Sequence, residues 1–276
     1  MILVHPASSI QHPASSTSHV GSDSGDRLIN QSRVRYHVAE RKAVMRLLVL
    51  QSRFVSDPML DHERGCFIAA TGRDADELHF RNVMGGVPTV DEVTAYDAVI
   101  IGGSGDFSVV EHDQLFFQPM AGLLRGLVDV SFPTFGCCFG YQLLVDAMGG
   151  TVIRDPENSE LGSVDVELTE EGARDPLFRQ LPQTFIAQMG HFDRAVELPE
   201  GIPNLASSQR CGFQALRVPG APIWATQFHP ELDEQGNRDR CVAYIKEFGD
   251  IEGYEALPSP DALTILPRFL ELAVSL

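Results

Sequence analysis

Residues 136–142 read Gly-Cys-Cys-Phe-Gly-Tyr-Gln and follow directly on the apolar run from Val130 to Phe135. A strand that ends in Gly-x-Cys-x-Gly and passes at once into a helix can fold in few ways. Apolar residues at 143, 144, 147 and 148 predict that helix over Tyr141 to Met148. The small residues at 136 and 140 permit a tight, strained turn that lifts one side chain above the end of a sheet. That side chain is Cys138. The helix behind it aims its amide dipoles at the sulfur, which is expected to lower the thiol's pKa and favour the thiolate. Cys137, one position earlier in an extended strand, points to the opposite face and into the packing of the sheet.

A thiol nucleophile needs a base. Ile223 to Gln227 reads as a strand, and His229-Pro230-Glu231 follows it. In an extended segment, side chains two apart point the same way, and Pro230 keeps this backbone from turning helical. Glu231 is therefore expected to hold one nitrogen of His229 while the other exchanges a proton with sulfur or a leaving group. The candidate catalytic set is Cys138, His229 and Glu231.

Strand-like and helix-like stretches alternate before residue 150. Strands are expected at 46–51, 77–83, 98–101 and 132–135, with helices at 58–70 and 113–128. This order predicts parallel βαβ units in an α/β fold, a mostly parallel open sheet with helices on both faces. After residue 150 short alternating segments replace it: 151–153, 163–168, 184–188, 195–198, 205–208, 213–218 and 223–227. They read as antiparallel or mixed strands added to the same sheet. A last helix, 260–274, is apolar at 263, 266, 270 and 273 and should cover one face. In open parallel sheets ligands bind beyond the carboxyl ends of the strands. The turns 102–106 and 136–140 both follow such ends and can face one another across a site. The first of them, Gly102-Gly103-Ser104-Gly105, lacks the Lys-Ser/Thr ending of a phosphate loop, which argues against nucleotide binding.

The elbow Gly-x-Cys-x-Gly-x-Gln and the closing His-Pro-Glu resemble those of class I glutamine amidotransferases, over roughly Met45 to the C-terminus. The resemblance implies a flavodoxin-like core and hydrolysis of the side-chain amide of glutamine through a cysteine thioester, with no metal or organic cofactor. It also implies an oxyanion hole made by the backbone N–H groups of Gly103 and Phe139. Substrate contacts would fall to Gln142 and to His191, Phe192 and Asp193 within the segment Gln188 to Asp193. Glu160 is another contact by the same likeness, although Asp193 and Glu160 both read more simply as solvated or turn carboxylates. In that segment Gly190 stands where the family often has a polar side chain, and Phe192 where it often has glycine. The layout is similar to the glutaminase of GMP synthase. The resemblance leaves three readings open: a glutaminase that supplies ammonia to a synthetase partner, a hydrolase of other γ-glutamyl compounds, or a regulatory protein on the same fold. The last would be marked by a missing triad member, and none is missing.

Composition narrows the classes further. A chain of 276 residues that is 43% hydrophobic can bury one sizeable core. Its formal charge of −17 argues against nucleic acid or an anionic membrane surface as partner. No apolar stretch approaches the ~20 residues of a spanning helix, and the N-terminus lacks a basic region followed by a long apolar core, so a cytoplasmic location is expected. The five cysteines are odd in number and scattered, which suits reduced thiols and gives no zinc spacing. Residues 1–44, rich in Ser, His, Pro and Gly, read as a disordered leader to a single domain at 45–276.

Overall fold

The hydrophobic strands sort their residues between two faces with the period of two that a pleated sheet imposes. In β1 (Leu47–Gln51), Leu47 and Val49 join one apolar cluster while Leu48 and Leu50 join another; in β3 (Ala98–Ile101), Ala98 and Ile100 go to the first and Val99 and Ile101 to the second. Such strands are buried on both sides, which is why they read as continuous apolar runs. The computed structural model describes residues 44–244 and 254–275, which belong to one compact unit. The expected leader lies outside the described residues except for Val44, which is exposed.

Five strands run parallel in the order β2 (Leu78–Asn82), β1, β3, β4 (Thr134–Cys137) and β11 (Ile223–Thr226). The sheet then continues antiparallel through β10 (Ala215–Arg217), β9 (Asn204–Ser207), β6 (Glu160–Leu168) and β7 (Thr184–His191). The α/β sheet and its antiparallel extension after residue 150 follow the sequence reading. Two of the expected additions differ: β5 (Thr151–Arg154) and β8 (Asp193–Glu197) lie outside the main sheet and pair with each other as a separate two-stranded ribbon. Periodicity identifies a strand but not its partner, and Asp193 reaches β5 because Phe192 turns the chain directly after β7.

Helix α1 (Met59–Thr71) and α7 (Ile265–Val274) cover one face, and α3 (Phe117–Asp129) and α4 (Phe139–Ala147) the other; a short α2 (Val90–Val93) rests against α3. The small α5 (Glu170–Arg174) lies by β9, and α6 (Glu234–Ala243) packs against β6, β7 and α1. The last helix is shorter than its apolar pattern predicts, beginning at Ile265 after a single tighter turn at 262–264. Pro267 is tolerated because it occupies the first turn, where a backbone N–H has no helical partner. Ile265, Leu266, Phe269 and Leu270 carry its packing.

Candidate active site

Cys138 is the first residue after β4 and caps α4, which begins at Phe139 rather than at Tyr141. Its backbone has φ 48° and ψ −98°, left-handed territory that costs a non-glycine residue about 1–3 kcal/mol. The turn is held from both sides: Cys138 N–H donates to the Thr226 carbonyl at 2.7 Å, and Gln142 N–H donates to the Cys138 carbonyl at 3.0 Å. Its two glycines are required by close approach. A Cβ on Gly136 would stand 2.8 Å from the backbone of Gly140, and one on Gly140 would stand 2.4 Å from the Ile101 carbonyl oxygen. Cys137 is fully buried in the cluster that α7 covers, on the opposite face, as the alternation predicts.

His229 lies just beyond β11. Its backbone N–H donates to the Gln188 carbonyl at 2.9 Å, which pins the residue to β7. His229 Nδ1 and Glu231 Oε1 are 2.8 Å apart, so the expected pairing forms. The route to it differs from the expected extended segment. The strand stops at Thr226, and 229–232 form a turn in which Leu232 N–H donates to the His229 carbonyl. The turn curls the carboxylate back under the ring.

The two halves meet over Gly103. A Cβ placed there would lie 2.9 Å from His229 Cε1 and 3.8 Å from Cys138 Cβ. Gly103 follows β3 and Cys138 follows β4, adjacent parallel strands whose ends present both turns to one place. Gln227 Nε2 donates to the Cys138 sulfur at 3.6 Å, and Gln227 Oε1 accepts from Gln142 Nε2 at 3.3 Å.

Electrostatics correct one expectation. Burial, followed by the negative charge of Glu231, pushes the Cys138 thiol up to about 12; the Phe139 N–H and Arg240 oppose this and are outweighed. At rest the sulfur keeps its proton. Burial likewise holds His229 below its usual value, against the pull of Glu231, so the ring is neutral near pH 7 and able to accept a proton. Burial alone would raise Glu231, but the His229 ring and Arg240 override it and bring the carboxyl to about 2. The resting site is thus a neutral thiol beside a neutral imidazole, with an ionised glutamate behind.

A cavity of about 280 Å³ opens on the sulfur side and is lined by Cys138, Phe139, Gln142, His191, Phe192 and Asp193. Gln142, His191, Phe192 and Asp193 therefore border one space, whereas Glu160, the other expected contact, does not line it; the side chains are already engaged. Gln142 Nε2 donates to the Asp193 carbonyl at 2.8 Å. Asp193 accepts from the Ser108 hydroxyl and lies 3.5 Å from Arg154. His191 Nε2 stands 3.2 Å from Glu160, which also accepts from Ser208 at 2.7 Å and Gln214 at 2.6 Å. Asp193 and Glu160 are buried acceptors, contrary to the solvated or turn role their residue type suggested. Phe192 lies under the Arg154 guanidinium, 5.4 Å from its ring centre. Among the described residues no group of three or more His, Cys, Asp or Glu side chains could hold a metal ion.

The sequence reading missed the buried charges behind Glu231. Arg240 Nη1 lies 3.0 Å from Glu231 Oε1, and Arg53 and Glu63 continue the contact inward. Asn237, Arg240 and Cys241 share the inner face of α6 at helical spacing, but a polar stripe on a helix ordinarily marks the solvent side. Only the Asp233 cap, whose carboxylate accepts from Gly236 N–H, announced this helix locally.

The family model for glutamine amidotransferase class-I matches residues 78–244, a span containing the elbow, Gly103 and the His229–Glu231 turn. Two related proteins are the GMP synthases [glutamine-hydrolyzing] of Lactobacillus delbrueckii subsp. bulgaricus and Thermotoga maritima. The first is 34% identical over 133 residues, 48% of this chain and 24% of that protein. The second is 35% identical over 156 residues, 55% and 28% respectively. The chain therefore spans about a quarter of the length of these curated relatives. Among solved structures, a glutamine amidotransferase from Thermotoga maritima superposes with a TM-score of 0.65 at 18% identity, covering 84% of this chain and 99% of that one. A glutamine amido transferase from Methylobacillus flagellatus gives 0.61 at 20% identity, covering 84% and 91%. At those identities the structures establish the fold, and the family match over most of the sheet and both halves of the site establishes descent: the chain belongs to the class I glutamine amidotransferases.

Proposed function

We propose that the protein hydrolyses the side-chain amide of glutamine at Cys138 and passes the ammonia to a synthetase partner. The observation that carries this reading is the meeting of Cys138 and the glutamate-held His229 over Gly103, beside a cavity of about 280 Å³. Because Nδ1 faces Glu231, Nε2 of His229 is the acceptor for the thiol proton. That proton moves as sulfur attacks the amide carbon, since a buried thiol near 12 does not ionise beforehand. The oxyanion is held by the N–H groups of Gly103 and Phe139. The C–N bond breaks as His229 returns the proton to nitrogen, releasing ammonia and leaving a γ-glutamyl thioester on Cys138. His229 then takes a proton from water, which attacks the thioester; glutamate departs and the thiol regains its proton. Glu231 stays ionised throughout and fixes the tautomer. The partner reading is supported by the GMP synthase relatives, of which this chain matches only about a quarter.

A second reading is favoured by Phe192. With Phe54 and Phe107, which pack edge to face at 4.9 Å, it gives the cavity apolar walls suited to a leaving group larger than ammonia. A hydrolase of γ-glutamyl peptides or conjugates would use the same triad. Steady-state turnover of the purified chain with glutamine and with a panel of γ-glutamyl amides separates the two. The glutaminase reading expects ammonia from glutamine and labelling of Cys138 by diazo-oxonorleucine; label on another residue, or none, counts against it.

Gly103→Ala tests the meeting point itself. The new methyl would press on the His229 ring at 2.9 Å, and that ring is pinned by Glu231. Turnover is expected to fall by on the order of 10²-fold, the usual penalty for displacing a reacting group by about 1 Å. The thermal midpoint should move little. A rate within about twofold of the unsubstituted protein would remove Gly103 from the site.

A further inference from the structure

A line of buried charges runs from the triad into the core. Glu231 meets Arg240 Nη1 at 3.0 Å; Arg240 Nη2 lies 3.8 Å from Glu63 Oε1; Glu63 Oε2 lies 3.2 Å from Arg53 Nε; and Arg53 Nη1 reaches Asp57 at 3.0 Å. Asp57 also accepts from the Tyr244 hydroxyl at 2.6 Å, and Tyr244 touches Arg53. Arg53, Glu63, Glu231 and Arg240 are all buried. Ionised side chains are withdrawn from water only where each has an opposite partner, so the alternation of sign is a condition of the line's existence.

The line connects working parts. Glu63, on α1, accepts from Gln51 at the end of β1 and sits under the turn after β3, where a Cβ on Gly102 would approach its Oε1 to 2.9 Å. Arg240 Nη1 also stands 3.1 Å from His229 Nδ1, so its positive charge lies beside the ring as well as beside the glutamate. Arg53 and Arg240 face Asp57, Glu63 and Glu231, leaving one negative charge in excess. A proton arriving on His229 brings the group to neutrality. Removing Arg240 would leave two negative charges in excess, and the ring would then hold its proton too firmly to return it.

We propose that Arg240, clamped between Glu63 and Glu231, is a positioning residue of the triad that fixes the His229 ring and limits how tightly it binds the proton taken from Cys138. This rests on the roles given above to His229 and Glu231. The other titratable groups around Arg240 are Arg53 and Asp57 beyond β1, His62, Glu63 and Cys66 on α1, Cys137 and Cys138 at the elbow, Glu231 after β11, and Asp239, Cys241 and Tyr244 on or beside α6. None of these supplies a second cation within hydrogen-bond distance of Glu231 among the described residues.

The test follows the rate of Cys138 alkylation by iodoacetamide against pH on the full chain, read by peptide mass, alongside glutamine turnover. The acid limb of both profiles reports loss of the proton from His229. Arg240→Gln keeps a donor for Glu231 and removes the charge; the limb is expected to move to higher pH by about one unit, with kcat down about tenfold and KM within about twofold. Arg240→Lys keeps the charge and should leave the limb in place while recovering most of the rate. Should Arg240→Gln not fold, Glu63→Gln gives the opposite sign: one negative charge fewer moves the limb to lower pH. A fall in rate by one factor at every pH with an unmoved limb, or a limb that moves the wrong way, overturns the proposal. Alkylation needs no substrate, so a limb that moves as stated in a chain that does not hydrolyse glutamine retains the role of Arg240 and removes the glutaminase reading.

Discussion

Cys138→Ala is expected to lower ammonia release from glutamine by on the order of 10⁴-fold or more while the protein stays folded, because no thioester can form without the sulfur. The fold should tolerate the change. Alanine meets the same left-handed backbone, φ 48°, that cysteine already occupies, so the strain of the elbow is unaltered. The sulfur stands at a cavity wall near the Gln227 amide rather than inside packed hydrocarbon, and its loss should change stability by no more than about 1 kcal/mol. Cys137→Ala makes the converse control. That sulfur is fully buried in the core beneath α7, and its removal is expected to destabilise by roughly 1–2 kcal/mol and to spare turnover. Paired urea unfolding curves and ammonia assays read both. Wild-type turnover by Cys138→Ala would mean the nucleophile lies elsewhere.

Gly140→Ala is expected to have the largest effect on stability, about 3 kcal/mol or more, seen as a lower midpoint in urea. Its Cβ would meet the Ile101 carbonyl oxygen at 2.4 Å and the Ile101 side chain at 2.9 Å. Ile101 belongs to β3, with neighbours hydrogen-bonded on both sides, so its backbone has nowhere to go. Relief has to come from α4 lifting off the sheet. That carries the Cys138 sulfur away from Gly103, so turnover should fall along with stability. Gly122→Ala, on the exposed face of α3 with nothing within 4 Å of the new methyl, should be neutral or stabilising by up to about 1 kcal/mol. Equal unfolding midpoints for the two variants would show that close approach is not what selects glycine at 140.

Much of the site was legible because its parts are local. The elbow is a short run whose small residues, strand and helix adjoin in the chain, and the His229–Glu231 pair spans three positions. Even so, the extended geometry expected for 229–231 gave way to a turn, because Gln188 on β7 captures the His229 N–H and ends the strand at Thr226. The same limit applied to β8, whose alternation identified a strand but could not choose between the main sheet and β5. Residue type alone makes Asp193 and Glu160 solvated or turn carboxylates, yet Ser108 on one side and His191, Ser208 and Gln214 on the other supply buried partners from distant segments.

The order of strands and helices, the strained turn at Cys138 and the pairing of His229 with Glu231 were determined by the sequence alone, since periodicity, backbone sterics and near-neighbour spacing act within a few residues. The protonation of the sulfur and the charges that steady Glu231 were decided only by the tertiary structure. Helix dipole and motif predicted a thiolate, whereas burial and the field of Glu231 leave a thiol. Arg53, Glu63 and Arg240 became partners through the packing of α1 and α6 beside the end of β1. Desolvation and Coulomb energy depend on what surrounds a group in space, and the chain assembles those surroundings from segments that carry no local mark of one another.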